Sequence, residues 1–502
     1  MKTPAVLTLS AMLMLTAAPL FAADLKIGLA EDPDILDPDQ SRTFVGRIVY
    51  ASLCDKLVDI TPDLEIIPML ATEWSWSEDN LTLTMKLRDD VTFQDGTPFD
   101  AEAVAYNINR SQTLEESRRK SEVASITGTK VVDPTTIEIT VAQPDATLIA
   151  QLADRAGMMV SPTAAEAAGA DFGNAPVCAG PYSFTERVQQ DRIVLTKFAD
   201  YYDADKYSFD TVTFLPIVDT TVRLANLRAG DVDMIERLAA TDVASVKADD
   251  ALTMEQATSL GYQGLTVNVA NGDKAQNPFG QDKLVRQALS LSIDREAINQ
   301  VVFEGAFAAG NQPWPPTSPW YDQDIPIPAR DVEAAKAKLA EAGVESPTVE
   351  IQVSTDPVAQ QVTQVIQAMA AEAGITVNVV AKEFATQLSQ QTAGDYEISQ
   401  IGWSGRVDPD GNIHQFVTCE GGINDAKYCN PEVDKLLNDA RATNDTAERK
   451  ALYDQATAIL DDDLPLIYIY HQNWIWAMDK GVTGFTAYPD GMIRLAGVSK
   501  AE

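Results

Sequence analysis

The sequence predicts an α/β protein built on more than one hydrophobic core. Runs in which apolar and polar residues alternate with period two repeatedly give way to runs with helical spacing. A chain of 502 residues, 45% of them hydrophobic, exceeds one usual domain and is apolar enough for two or more cores. Four cysteines in an otherwise disulfide-sized pattern point to an oxidising compartment.

The N-terminus supports that compartment. Lys2 is the only charge before Asp24, Ala5–Ala18 is almost wholly apolar or small, and Ala22 and Ala23 follow Pro19. This order predicts a secretory signal peptide over 1–23, with an apolar segment too short to span a bilayer comfortably. No cysteine precedes Cys54, so no lipid anchor is expected at this cleavage site, and no later stretch is long and apolar enough for membrane insertion. Removing the signal peptide takes away Lys2 and no acid, so the formal charge moves from −36 to −37. Such an excess argues against nucleic acid or anionic membrane as a partner and makes any arginine directed into a cleft informative.

Lys26–Leu29 reads as a strand, Asp32–Asp39 as an acidic loop and Val45–Leu57 as a helix. Trp74 and Trp76, then Leu81, Leu83, Met85 and Leu87, alternate with polar residues and predict two half-buried strands joined by a turn at Glu78-Asp79-Asn80. A second turn falls at Asp95-Gly96 with Pro98. Asp100 is placed to cap a helix carrying Val104 and Ile108. Val131–Val141 reads as a further strand. Ala335–Gly343 is a helix stopped by glycine, followed by a strand at Val349–Val353. Cys419 and Cys429 bracket a polar, turn-rich loop and are expected to pair, which leaves Cys54 with Cys178. In the chain-entropy model the long loop contributes on the order of 4 kcal/mol and the short one nearer 3. A metal site finds no Cys-x-x-Cys spacing, and the chain has 2 histidines, His414 and His471.

The ordered segment Ala71–Arg110 closely resembles the signature of the family 5 extracytoplasmic solute-binding proteins, the peptide, nickel and opine receptors of ABC importers. Gly180-Pro181-Tyr182-Ser183-Phe184 resembles the family's Gly-Pro-Tyr strand entry. Thr221–Glu236 resembles its helix, Gly-Asp turn and strand, and Val285–Ile298 is similar to the helix that opens its large C-terminal domain. The resemblance implies a two-lobed, type II, cluster C-like periplasmic-binding-protein fold with a hinge, an enclosed ligand and a small inserted domain. Lobe I is expected from 24–58, 183–262 and 475–502, the inserted domain from 59–182 and lobe II from 263–474. The implied function is capture of a small peptide or peptide-like solute in the periplasm and delivery to an ABC permease, by a monomer without a cofactor. An opine, a glutathione-like solute or a metal chelate is the alternative ligand.

In this family a Trp-containing loop carries an acid that pairs with the α-amino group of a peptide. Here Ile401–Asn412 contains Trp403, but Arg406 stands three residues later, and Asp408-Pro409 arrives one residue early. Either Asp408 anchors an amine, or Arg406 receives an anion through its planar fork, or the two pair to shape the turn. Ser41, Arg42 and Thr43 precede a helix, where hydroxyls and amides can hold a ligand. Arg155 is a weaker candidate. His414 beyond the Trp403 loop keeps a chelate in view, with no second soft ligand beside it. A secreted hydrolase is disfavoured. Gly402-Trp403-Ser404-Gly405-Arg406 lacks the final glycine of a nucleophile elbow, and no His-Glu-x-x-His motif occurs.

Overall fold

The computed structural model describes residues 24–501, and the signal peptide expected over 1–23 lies outside the described residues. Two mixed sheets organise the protein. The first has seven strands in the order Leu252–Thr258, Asn473–Asp479, Met234–Ile235, Asp24–Leu29, Thr211–Pro216, Arg192–Lys197 and Tyr182–Val188. The second has six, in the order Ala308–Ala309, Leu466–His471, Tyr262–Val267, Ile398–Trp403, Thr348–Ser354 and Thr376–Lys382. Leu25, Ile27 and Leu29 of the first sheet, and Val349, Ile351 and Val353 of the second, alternate along their strands and pack one face of each sheet into its own core.

A smaller four-stranded antiparallel sheet, Ala71–Trp76, Thr82–Leu87, Thr136–Val141 and Ile126–Asp133, stands between the first helix and Tyr182. It has its own core, in which Leu83, Met85, Ile137 and Ile139 are fully buried and Trp74 and Trp76 pack at the edge. Asp100 caps the following helix, Ala101–Thr113, accepting from the Ala103 amide at 3.0 Å. Asn80 closes the first turn with φ 55.

Three sequence-based elements differ from the structure. Val131–Val141 is a hairpin and not one strand, because Pro134 has no amide to donate and Asp133 turns the chain by accepting from Thr135 N at 2.9 Å. Val285–Ile298 is split into Lys283–Ser292 and Arg295–Phe303. Ile293 is extended, and Asp294 caps a new helix through the Ala297 amide at 2.8 Å. The helix expected to reach Leu57 ends at Leu53, where Cys54 turns extended.

Cys54 is bonded to Cys178, 124 residues on, and Cys419 to Cys429. The first bridge ties together the two chain segments by which the small domain leaves and re-enters the first lobe. In the chain-entropy model a loop this long contributes about 4–5 kcal/mol. The double variant Cys54→Ala/Cys178→Ala is expected to lose stability of that order in urea unfolding, with the Cys419–Cys429 pair intact by non-reducing peptide mapping.

Candidate ligand-binding cleft

Among the described residues the chain passes between the two large sheets twice, at Ser259–Gly261 and at Gln472. The sequence-based lobe boundaries fall two or three residues after these crossings. The crossings lie side by side, with Ser259 N donating to the Gln472 carbonyl at 3.1 Å. His471 Nδ1 is 2.6 Å from the Gly261 carbonyl, and burial brings the imidazole down to about 4, so at neutral pH it is uncharged and donates there. A Cβ on Gly261 would stand 1.8 Å from the Trp403 carbonyl, so this position accepts only glycine. A short, paired double crossing of this kind is the structure of a hinge.

Between the sheets lies a cavity of about 420 Å³, within the size range of small-molecule sites. Phe44 and Trp474 line it from the first lobe, stacked with ring centroids 4.3 Å apart. Trp403 and Phe416 face it from the second, edge to face at 4.9 Å. The small domain contributes Arg119 and Arg155. Flat aromatic walls of this kind bury an apolar solute body and leave the charged groups to fix its orientation.

Ion pairs close the cleft across all three bodies. Arg42 of the first lobe donates to Asp425 of the second at 2.7 Å and also bonds Thr392. Asp154 of the small domain is held in a fork by Arg47 of the first lobe, while Arg406 of the second places its Nε 3.1 Å from the same carboxylate. That last contact has ion-pair distance without hydrogen-bond alignment, and the Nε and Nη2 of Arg406 have no hydrogen-bond partner among the described residues. Arg47 Nη1 also donates to Ser404 Oγ at 2.9 Å. Burial pushes the Asp154 carboxyl upward, yet Arg406, Arg47 and Arg155 together hold it well below the usual carboxylate range. Burial followed by the neighbouring Arg47 pushes Arg406 well below its usual value. For Arg155, burial and then Arg119 bring the value to about 9.

A second charged group sits on the wall around Glu31. Its Oε1 accepts from Arg237 at 2.8 Å, whereas Oε2 is buried without a partner. Burial raises the Glu31 pKa, with Arg237 opposing. Arg237 also lies over the Phe44 ring, 5.0 Å from its centroid, so this charge braces the aromatic wall.

The structure brings Arg42, Trp403 and the weaker candidate Arg155 to the cavity wall and keeps five other sequence-based candidates away from it. Ser41 and Thr43 donate their hydroxyls to Asp34 at 2.7 and 2.8 Å, and Thr43 caps the helix Phe44–Leu53. Arg406 stacks on Trp403 at 4.1 Å, behind the wall. Asp408 does not pair with Arg406. It caps the short turn Pro409–Asn412, and both its oxygens accept from Arg449, at 2.7 and 3.0 Å. His414 contacts Asn438 Oδ1 at 3.0 Å, away from the cavity. Sequence reasoning missed Arg119, Asp425 and Glu31, and reached Phe44 only as the end of the loop that carries Arg42. Arg119 lies in a charged run, 115–122, that reads as solvated surface, and Asp425 lies in the Cys419–Cys429 loop.

Two sheets hinged by a double crossing, with a cage between them, define a periplasmic-type solute-binding protein. The chain matches the family described as bacterial extracellular solute-binding proteins, family 5, middle, over residues 65–424, and it belongs to that family. It is 29% identical to the glutathione-binding protein GsiB of Escherichia coli K12 over 503 aligned residues, covering 95% of this chain and 94% of that protein. A dipeptide-binding protein from Pseudoalteromonas, solved with Met-Leu, superposes with a TM-score of 0.88 at 25% identity, covering 95% of this chain and 100% of that one. The binding protein AgaA of A. tumefaciens, solved with agropinic acid, gives 0.86 at 27% identity, covering 95% and 99%.

Asp154→Asn leaves Arg47 and Arg406 buried without their shared anion, an expected loss of about 3–5 kcal/mol in thermal unfolding. Because the folded carboxyl is held low, its contribution is present above the ordinary aspartate value of about 3.9 and fades as pH falls below it. The Asn variant is therefore expected to lose less stability than wild type on acidification through that window.

Proposed function

We propose that this protein captures a small peptide-like solute in the periplasm by closing its two lobes, and then presents the closed form to an ABC permease. The observation that carries this reading is the cavity itself, walled by three bodies that meet there through ion pairs and a two-strand hinge. The relatives that bind glutathione, a dipeptide and agropinic acid support solutes of this size, all with carboxylate groups. Arg42, Trp403, Phe44 and Trp474 are the residues proposed to touch or enclose the solute. Arg406 is proposed to act behind the wall, through Trp403 and Asp154, and Asp408 to hold its loop closed through Arg449.

Cleavage of residues 1–23 and release as a soluble monomer complete the proposal. A binding role without catalysis is supported by the histidines: His471 is engaged by the hinge and His414 by Asn438, and neither lines the cavity. A solute that binds only the closed form stabilises the fold by about 2.7 kcal/mol at a hundredfold excess over Kd. A thermal-shift screen of di- and tripeptides, glutathione, opines and nickel chelates is expected to find one class with such a shift, and none shifting would overturn the proposal. With the solute so found, Arg42→Ala is expected to weaken binding by about 2 kcal/mol or more in calorimetry, because it removes a cross-lobe pair present only on closure.

A further inference from the structure

Where the small domain meets the two lobes, four buried arginines crowd around two acids beside the cleft. Arg47, Arg119, Arg155 and Arg406 influence one another at short range and share two carboxylates, Asp154 and Glu122. All six side chains are more than nine-tenths buried, with relative exposures of 1–6%. Four guanidiniums against two carboxylates leave an excess of two positive charges. Widening the group to Arg42 and Arg118 brings in Asp425 and Asp34 and leaves the same excess. Beyond it Lys56 and Arg494 meet Asp59, Asp490 and Asp55, and Arg110 meets both Asp37 and Asp39, so the excess is local to the four-arginine group.

A guanidinium keeps its proton in a protein, so Arg155 and Arg406 remain charged where burial first, and a neighbouring guanidinium second, disfavour that charge. Burying an unpaired charge is expensive, and a fold retains one where a ligand supplies the missing partner. The hydrogen-bonding inventory agrees. Arg155 Nη1 and Arg119 Nη2 both point to the Ser41 carbonyl, at 2.7 and 3.4 Å, and Arg119 Nη1 bonds Glu122. The Nε of each is buried without a hydrogen-bond partner among the described residues, although both side chains line the cavity.

We infer that the solute carries two negative charges against Arg119 and Arg155, as a pair of carboxylates or as one phosphate group. The inference rests on the proposed capture of a solute in this cleft and narrows its chemistry. A dianion there completes the charge balance of the closed state, so closing around an uncharged or singly charged solute leaves the cluster unsatisfied. Guanidinium forks suit both oxyanions, and the two sources differ in what the rest of the cavity must hold.

The test uses the full mature protein and calorimetric titration with Ala-Glu, reduced glutathione and O-phosphoserine, compared with two dipeptides of no net charge. Ala-Gln is the control for Ala-Glu, with the same shape and one charge fewer, and Ala-Ala is the smaller control. Wild type is expected to favour Ala-Glu over Ala-Gln by about tenfold or more. O-phosphoserine binding more tightly than both dicarboxylates would support the charge and assign it to phosphate. In Arg155→Gln and Arg119→Gln the Ala-Glu preference is expected to shrink to within about threefold while Ala-Gln binding hardly moves, and Arg155→Lys is expected to restore part of it. A bracing role would instead weaken every probe alike. Should the glutamine variants not fold, the wild-type series decides by itself. Equal affinity for Ala-Glu and Ala-Gln with O-phosphoserine binding no more tightly than either, or tighter binding of the neutral probes than of all three acidic ones, overturns the inference and leaves solute capture standing. No binding of any probe, neutral or charged, overturns the inference and counts against the capture reading on which it rests.

Discussion

The carboxylate of Asp154, gripped by Arg47 and approached by Arg406, joins three bodies that covalent structure connects through a hinge, two chain segments and the Cys54–Cys178 bridge. The physical nature of the link suits a protein that must open. A hydrophobic interface of equal strength would resist separation, because exposing apolar surface to water is unfavourable at any distance. Ion pairs behave differently: water solvates both partners on opening, so the net difference between paired and separated states is modest once the groups are wet. Closure is thereby directional, since a carboxylate accepts only in defined directions, without being irreversible.

The hinge adds the second requirement, that the closed arrangement be reached along one path. Gly261 lets the backbone pass within contact of the Trp403 carbonyl, and neutral His471 fixes the parallel crossing by bonding the Gly261 carbonyl. Motion at these residues therefore carries Trp403, and Arg406 stacked on it, toward or away from the first lobe. Trp403 of the aromatic wall and Arg406 of the ion triad are consequently parts of one moving loop.

The electrostatics of the cleft run against those of the chain. The protein bears a formal charge of −36, yet the wall near the small domain is locally cationic. Surface acids are screened beyond about 8 Å at physiological ionic strength, whereas buried charges are screened far less. The local field inside the closed cage is therefore set by its own arginines and not by the surface excess, and a strongly acidic protein can present a cationic cage.

Much of the fold was legible in the residues because it depends on local physics. Alternation in 74–87 places strands, Asp100 caps a helix wherever the chain runs, and cysteines bracketing a short polar loop can hardly avoid each other. The failures were local as well: Pro134 and Asp294 interrupt elements whose hydrophobic period continues through them. The site was different. Trp403 and Arg42 were visible because they stand in loops that follow strands or precede helices, but Asp408 was assigned by spacing to a role that Arg449 leaves no room for. Arg119 had no sequence signal at all, since its meaning arises from Arg155, Ser41 and the cavity, which are far away along the chain. By itself the sequence determined the α/β layers, the caps, the disulfide pairing and the family, all properties of neighbouring residues or of pattern. Only the tertiary structure decided which arginines face the cavity and which acids neutralise them, because charge balance is a property of a volume that distant segments enclose together.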